Sequence, residues 1–129
     1  MNVIYASMNS PDSRVDLPVE LDMANKGCAL FEVTGAVFPY TDEPLFLCVD
    51  YVDESFVGQR MMPILRRIQL KRVDSGGTIN HTFNKMLWVS CSRMRVKEFR
   101  LYISNADGNC PPFAKCHLNC TLVNIPNLK

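Results

Sequence analysis

An antiparallel all-β sandwich or barrel is the architecture this sequence predicts, and three observations point to it. Short apolar runs, each about the length of a strand, recur along the 129 residues. Polar or proline-bearing breaks separate them: "NSPDS", "NKG", "PYTDEP", "VDSGG", "NADGNCPP" and "NIPNLK". Within several runs apolar and polar residues alternate, which is the period of a half-buried strand.

The runs are Val3 to Ala6, Val15 to Leu21, Ala29 to Val37, Leu45 to Val52, Ile64 to Val73, Thr78 to Phe83, Leu87 to Cys91, Glu98 to Ser104 and Lys115 to Ile125. In the second, Val15, Leu17, Val19 and Leu21 alternate with Asp16, Pro18, Glu20 and Asp22. Phe99, Leu101 and Ile103 oppose Glu98, Arg100 and Tyr102, and Ile68 and Leu70 oppose Gln69 and Lys71. In "KCHLNCTLV", Cys116, Leu118, Cys120 and Leu122 fall on one side. Leu45 to Val52 is apolar on both faces, as an inner strand covered on each side would be. Glu54 to Leu65 is the best helix candidate, although Gly58 and Pro63 both weaken a helix there. Eight or nine short strands with turns between them fit a sandwich or a barrel.

The length suits one domain over residues 1–129, with a core that buries about two-thirds of the unfolded surface. Hydrophobic residues make up 47% and charged residues 21%, and the net charge is +1. Such a balance implies no global attraction to nucleic acid or to a membrane. No apolar run approaches the roughly 18 residues of a membrane span. The opening "MNVIYASMNSPDSR" lacks the charged-then-apolar order of a secretory signal, so a protein that is not secreted is expected.

Six cysteines invite a disulfide framework, but their apolar settings favour buried reduced thiols acting as small hydrophobes. A zinc site from Cys110, Cys116, His117 and Cys120 is disfavoured: in a strand His117 faces away from its neighbours, and no CxxC pair is present. Asp50, Asp53 and Glu54 lie where an apolar run ends, the usual place for a solvated strand exit rather than an acid–base pair. His81 and His117 have no nucleophile signature beside them. "DSGG" and "ADG" are turn-formers without the spacing of a phosphate loop. Asn80-His81-Thr82 and Asn119-Cys120-Thr121 match the glycosylation pattern inside expected strands, and chance accounts for both. The sequence therefore offers no catalytic residue, metal site or cofactor site.

The basic groups Arg66-Arg67, Lys71-Arg72 and Arg93-Arg95-Lys97 remain. In an extended chain Arg93, Arg95 and Lys97 share a face, with Met94 and Val96 behind. A solvated strand face is the simplest reading of this stripe; among functional readings a protein–protein contact suits it better than nucleic acid, because net charge is near zero and aromatic interleaving is absent.

Four segments, in order, carry a family resemblance: "VDLPVEL" (15–21), "LFEVTGAVFPY" (30–40), "LFLCVDYVDESFVGQRMMPILRRI" (45–68) and "VKEFRLYISNADGNCPPFAKCHLNCTLV" (96–123). Together they resemble the penton-type minor capsid proteins of Polinton (Maverick) elements and adintovirus-like DNA viruses. Those run through an "LP…L" strand, "WEVAL…YP", "YVYCDIV…VGD…PLLR" and a final pair ending in "VTLHF". Phe31 stands where the family has Trp, a swap expected to keep an aromatic core anchor. Only "TDEP" fills the place of a frequent long insertion, and the last strand reads "KCHLNCTLV".

The resemblance implies a single jelly-roll β-sandwich of about eight antiparallel strands. It also implies a structural virion protein, made inside the host cell, that forms homopentamers at the fivefold vertices of an icosahedral capsid. Partners would be its own copies, a double-jelly-roll major capsid protein, and a fibre or other vertex protein. On this reading Gly58 serves a sharp turn and Pro63 opens the next strand. Met61 and Met62 would supply apolar contact area, and Arg93, Arg95 and Lys97 would meet Asp50, Asp53 and Glu54 of a neighbour. The rival is a small β-sandwich module binding a carbohydrate or peptide, for which the exposure of Trp88 is undecided by alternation. A metal- or thiol-dependent enzyme has the least support.

Overall fold

The alternating runs become antiparallel sheets that bury their apolar sides against one another. The structure is a computed structural model describing residues 2–74 and 76–126, which form strands and no helix. The first half of the chain supplies β1 (Asn2–Met8), β2 (Asp12–Asp22), β3 (Gly27–Phe38), β4 (Leu45–Val49), β5 (Ser55–Val57) and β6 (Arg60–Met62). The second half supplies β7 (Ile64–Ile68), β8 (Lys71–Val73), β9 (Gly76–Thr82), β10 (Val89–Ser90), β11 (Arg95–Ser104) and β12 (Lys115–Ile125). One sheet runs β1-β12-β3-β9-β8, with β10 paired to β3; the other runs β2-β11-β4-β7. Consecutive long strands mostly cross from one sheet to the other.

A single core lies between them. Ile4, Ala6 and Met8 of β1, Leu30, Val33 and Val37 of β3, and Leu118, Cys120 and Leu122 of β12 come from one sheet. Leu45, Leu47 and Val49 of β4 and Phe99, Leu101 and Ile103 of β11 come from the other. Each large apolar side chain buried this way contributes about 1.5–3 kcal/mol. The four ion pairs of the described residues are all substantially solvent-exposed, and such pairs contribute about 0–1 kcal/mol each. Packing holds the fold, not charge.

One polar link crosses the core. Tyr51 follows β4 with its ring buried and packed edge-on against Phe99, centroids 5.0 Å apart. Its hydroxyl donates to Asn124 Oδ1 of β12 at 3.4 Å, so the Cys28 thiol of β3, 3.3 Å away, donates to the phenol oxygen. Burial pushes the ionisation of Tyr51 far up, so the phenol stays neutral. Asn124 Nδ2 is buried with no partner among the described residues.

The structure departs from the sequence reading at identifiable places. Strand β4 ends at Val49 because Asp50 and Tyr51 turn, and Val52 returns only as a bridge to Cys91. The run Ile64 to Val73 is split: β7 joins one sheet and β8 the other, with Gln69 and Leu70 crossing between. Glu54 to Leu65 is no helix. It contains the hairpin β5–β6, turned at Gly58-Gln59 with Gly58 at φ +60°, the glycine-first turn that matches strand twist. Pro63 then carries the chain into β7, its carbonyl accepting the Val49 N–H at 3.0 Å.

Phe31 is not a core anchor; it is 40% exposed. Between Thr121 and Leu122 the partner register jumps from Glu32 to Leu30, so Phe31 is the extra residue of a bulge. The bulge reverses the parity of β3: Cys28 and Leu30 point inward before it, Val33 and Val37 after it.

At Gly35 the chain has φ +140°, and a Cβ would lie 2.0 Å from His117 O across the β3–β12 ladder. Gly35→Ala should therefore cost roughly 3 kcal/mol. At Gly58 nothing lies within 4 Å of a built Cβ, so Gly58→Ala should cost only about 1 kcal/mol from its left-handed backbone. Urea unfolding of the two variants checks the ranking; equal losses would mean the close strand approach at Gly35 is wrong.

Candidate interaction surface

The β6 alternation separates the two methionines. Met62 is 6% exposed, its Sδ accepting from Ser104 Oγ at 3.5 Å, so it belongs to the core and is removed from the expected contact residues. Met61 points the other way and is 53% exposed. It shares an open depression of about 580 Å³ with Asp50, Asp53, Glu54 and Ser92. Backbone bonds hold the walls: Asp53 N–H donates to Ser90 O and Ser92 N–H to Tyr51 O, each at 2.8 Å.

The basic stripe is largely engaged within its own chain. Arg93 pairs with Asp50, whose Oδ1 also accepts the Arg100 N–H at 3.0 Å. Arg95 reaches Glu20 at 3.2 Å, and Lys97 Nζ donates to Pro18 O at 3.0 Å. Val96 lies behind them in the core, while Met94 is exposed. Asp53 and Glu54 form no ion pair among the described residues.

Two further pairs extend this lattice over the outer face of β2 and β11. Arg14 meets Glu98 at 2.6 Å, and Arg100 grips Asp12 through two bonds of 2.8 Å while stacking 4.0 Å above the Tyr102 ring. The hydrogen bond from Arg100 holds the Asp12 carboxyl below its ordinary value, against a smaller opposing effect of burial.

The sulfur groups stay dispersed. Cys116 and Cys120 face the core while His117, on the opposite face of β12, bonds Asn9 Oδ1 at 2.9 Å. No group of three His, Cys, Asp or Glu side chains among the described residues could hold a metal. All six cysteines are free thiols, four of them buried; Cys91 is half-buried and Cys110 is exposed, against the expectation for these two. Burial pushes Cys28, Cys48 and Cys120 up to about 12 and Cys91 and Cys116 to about 11. Thiols so shifted carry little thiolate at neutral pH. Trp88 is half-buried.

Two grooves at the open sides of the sandwich were not foreseen as sites. Between β7 and β9 lies one of about 560 Å³, lined by Arg66, Arg67, Lys71 and His81 over Leu70, Ile79 and Phe83. The guanidinium of Arg66 sits 3.9 Å above the Phe83 ring and donates to Lys85 O at 2.8 Å. Between β1 and β2 lies one of about 430 Å³, walled by Ile4, Val15, Leu17 and Leu21. The paired cations at 66–67 and 71–72 were the available signal, but only the folded sheets reveal that they share an edge. No helix among the described residues is long and apolar enough to cross a membrane. No family model matches the chain, and no curated protein matches its sequence.

Because the folded Asp12 carboxyl titrates below the unfolded one, the pair's stabilisation is complete above about pH 4 and lost as pH falls through the folded value. Arg100→Ala should return Asp12 towards 3.8 in a carboxyl-detected NMR titration and flatten the stability loss below about pH 4; an unmoved Asp12 would refute the coupling. For the thiols, a thiol reagent at neutral pH should modify Cys110 first, with Cys28, Cys48 and Cys120 reacting only in denaturant. Rapid native labelling of Cys28 would contradict its burial.

Proposed function

We propose that this chain is a structural virion protein, a single jelly roll acting as a penton-type minor capsid protein. One observation carries the reading. Eight strands of five or more residues are arranged β1-β12-β3-β9 facing β2-β11-β4-β7, an order that supports the reading of a jelly roll made of two Greek keys. The four shorter strands are additions to that frame. The four-segment resemblance points to the same architecture independently of this order.

On this reading the protein forms a homopentamer at each fivefold vertex, in contact with a double-jelly-roll major capsid protein, and works in the virion. A ring needs two different patches on each subunit that fit each other, with an obligate contact of about 2,000 Å² or more. Exposed apolar side chains such as Val3, Tyr5, Val19 and Met61, on the open side by β1–β2 and beside the Asp53–Glu54 depression, are suited to contribute to it. The Arg93/Arg95/Lys97 stripe is less suited, since its charges are engaged at home. A carbohydrate- or peptide-binding module would require aromatic rings gathered in one groove. The exposed rings here, Tyr5, Phe31, Phe38 and Phe56, sit on three separate strands.

Native mass spectrometry and electron microscopy test the proposal. The expected result is a species of five chains with fivefold symmetry, formed alone or on mixing with a double-jelly-roll shell protein. A chain that stays monomeric at high concentration under both conditions overturns it.

A further inference from the structure

The two open edges of the β2-β11-β4-β7 sheet carry opposite charge. Edge strand β2 holds Asp12, Asp16, Glu20 and Asp22 with Arg14; Arg100 and Arg95 of the adjacent β11 pair with Asp12 and Glu20, which leaves Asp16 and Asp22 without an ion pair among the described residues. At the other edge, β7 holds Arg66 and Arg67 and no carboxylate, and on the same side of the sandwich the facing sheet adds Lys71 and Arg72 of its own edge strand β8. None of these four cations forms an ion pair among the described residues.

The edges also differ in shape. On β2 the register against β11 jumps from Leu21↔Val96 to Asp16↔Glu98, so Leu17 to Glu20 stand opposite Lys97 alone and bulge away from the sheet. Val19 at this bulge is 60% exposed. The β7–β9 side is instead the groove of about 560 Å³ with an apolar floor and a basic rim, a volume within the range of ligand pockets. Arg66 is fixed over Phe83, whereas Arg67 and Lys71 make no side-chain hydrogen bond among the described residues. An apolar tip flanked by carboxylates on one edge thus fits a greasy, cationic groove on the other.

We propose that the β7–β9 groove receives the β2 bulge of a second copy of this chain, Val19 entering over Leu70 while Asp16 and Glu20 meet Arg67 and Lys71. This rests on the self-assembly reading above and names its surface. The contact joins two different patches, so repetition gives a closed ring or a filament rather than an isolated pair. It is made by side chains and not by a continued strand ladder, because Pro18 has no N–H and the bulge interrupts pairing. The exposed Glu20–Arg95 pair is screened by solvent and can exchange its partner.

Sedimentation of the full chain tests it with three variants, each first shown by thermal melting to be folded. R67E/K71E should weaken association at least tenfold, and D16K/E20K should do the same. The fourfold charge swap D16K/E20K/R67E/K71E should restore it, and the parent's association should weaken from about 0.1 M to 1 M salt. A parent that associates equally well with either edge reversed overturns the groove assignment while leaving the vertex reading standing. So does a groove variant that assembles normally but loses retention on a single-stranded DNA column, which would give the cations to a polyanion. A parent that remains monomeric alone overturns the groove assignment, and one that also stays monomeric when mixed with a double-jelly-roll shell protein overturns both.

Discussion

Two sheets that bury their inner faces without closing on themselves leave outermost strands with unpaired backbone groups, and much of this protein answers that constraint. The edges are β1 and β8 in one sheet and β2 and β7 in the other. Such edges are templates for uncontrolled pairing unless blunted by charge, proline, bulges or shortness. Strand β2 combines Pro18, a large bulge and four carboxylates; β8 is three residues long and carries Lys71 and Arg72. The chemistry at the margins is thus what an open sandwich needs to remain itself.

Tyr51 shows how a core of this kind tolerates a polar group. A buried hydroxyl is costly unless it is bonded, and here its partners among the described residues, Asn124 and Cys28, belong to the facing sheet. The bonds can form only if β4 exits at one place relative to β3 and β12. The same turn sets Asp50 against Arg93 and the Arg100 N–H, and places Asp53 beside Ser90. The depression holding Met61, Asp53 and Glu54 therefore inherits its position from a hydrogen bond made in the core.

How much was legible in the sequence depended on parity. Where alternation is unbroken, as from Lys115 to Ile125, the expected strand and β12 have the same bounds. Where a bulge shifts the phase, the reading fails: Phe31 was expected in the core because it stands where the resembled family has Trp, but one inserted residue turns it outward. A run also conceals a change of sheet, since Ile64 to Val73 keeps its character while Gln69 and Leu70 cross from one layer to the other. The best helix candidate, Glu54 to Leu65, is no helix for the reason its glycine announced, a turn at Gly58. Of the expected contact residues, Met61, Asp50, Asp53 and Glu54 do come together. Met62 and the cations of β11 do not join them, because the partners that bind them lie far off in sequence: Ser104, Glu20 and Pro18.

Net charge misled most. At +1 the whole chain looks electrically indifferent, yet a sum over the sequence says nothing about where folding puts each sign. The strands β2 and β7 stand at opposite edges of a four-strand sheet, three spacings or about 14 Å apart. The screening length at physiological salt is about 8 Å. A partner approaching one edge therefore feels that edge far more than the other, and the two signs do not cancel at either surface. A near-neutral chain can in this way carry an excess of one sign at one edge that the other edge does not neutralise, which a sum over the sequence conceals.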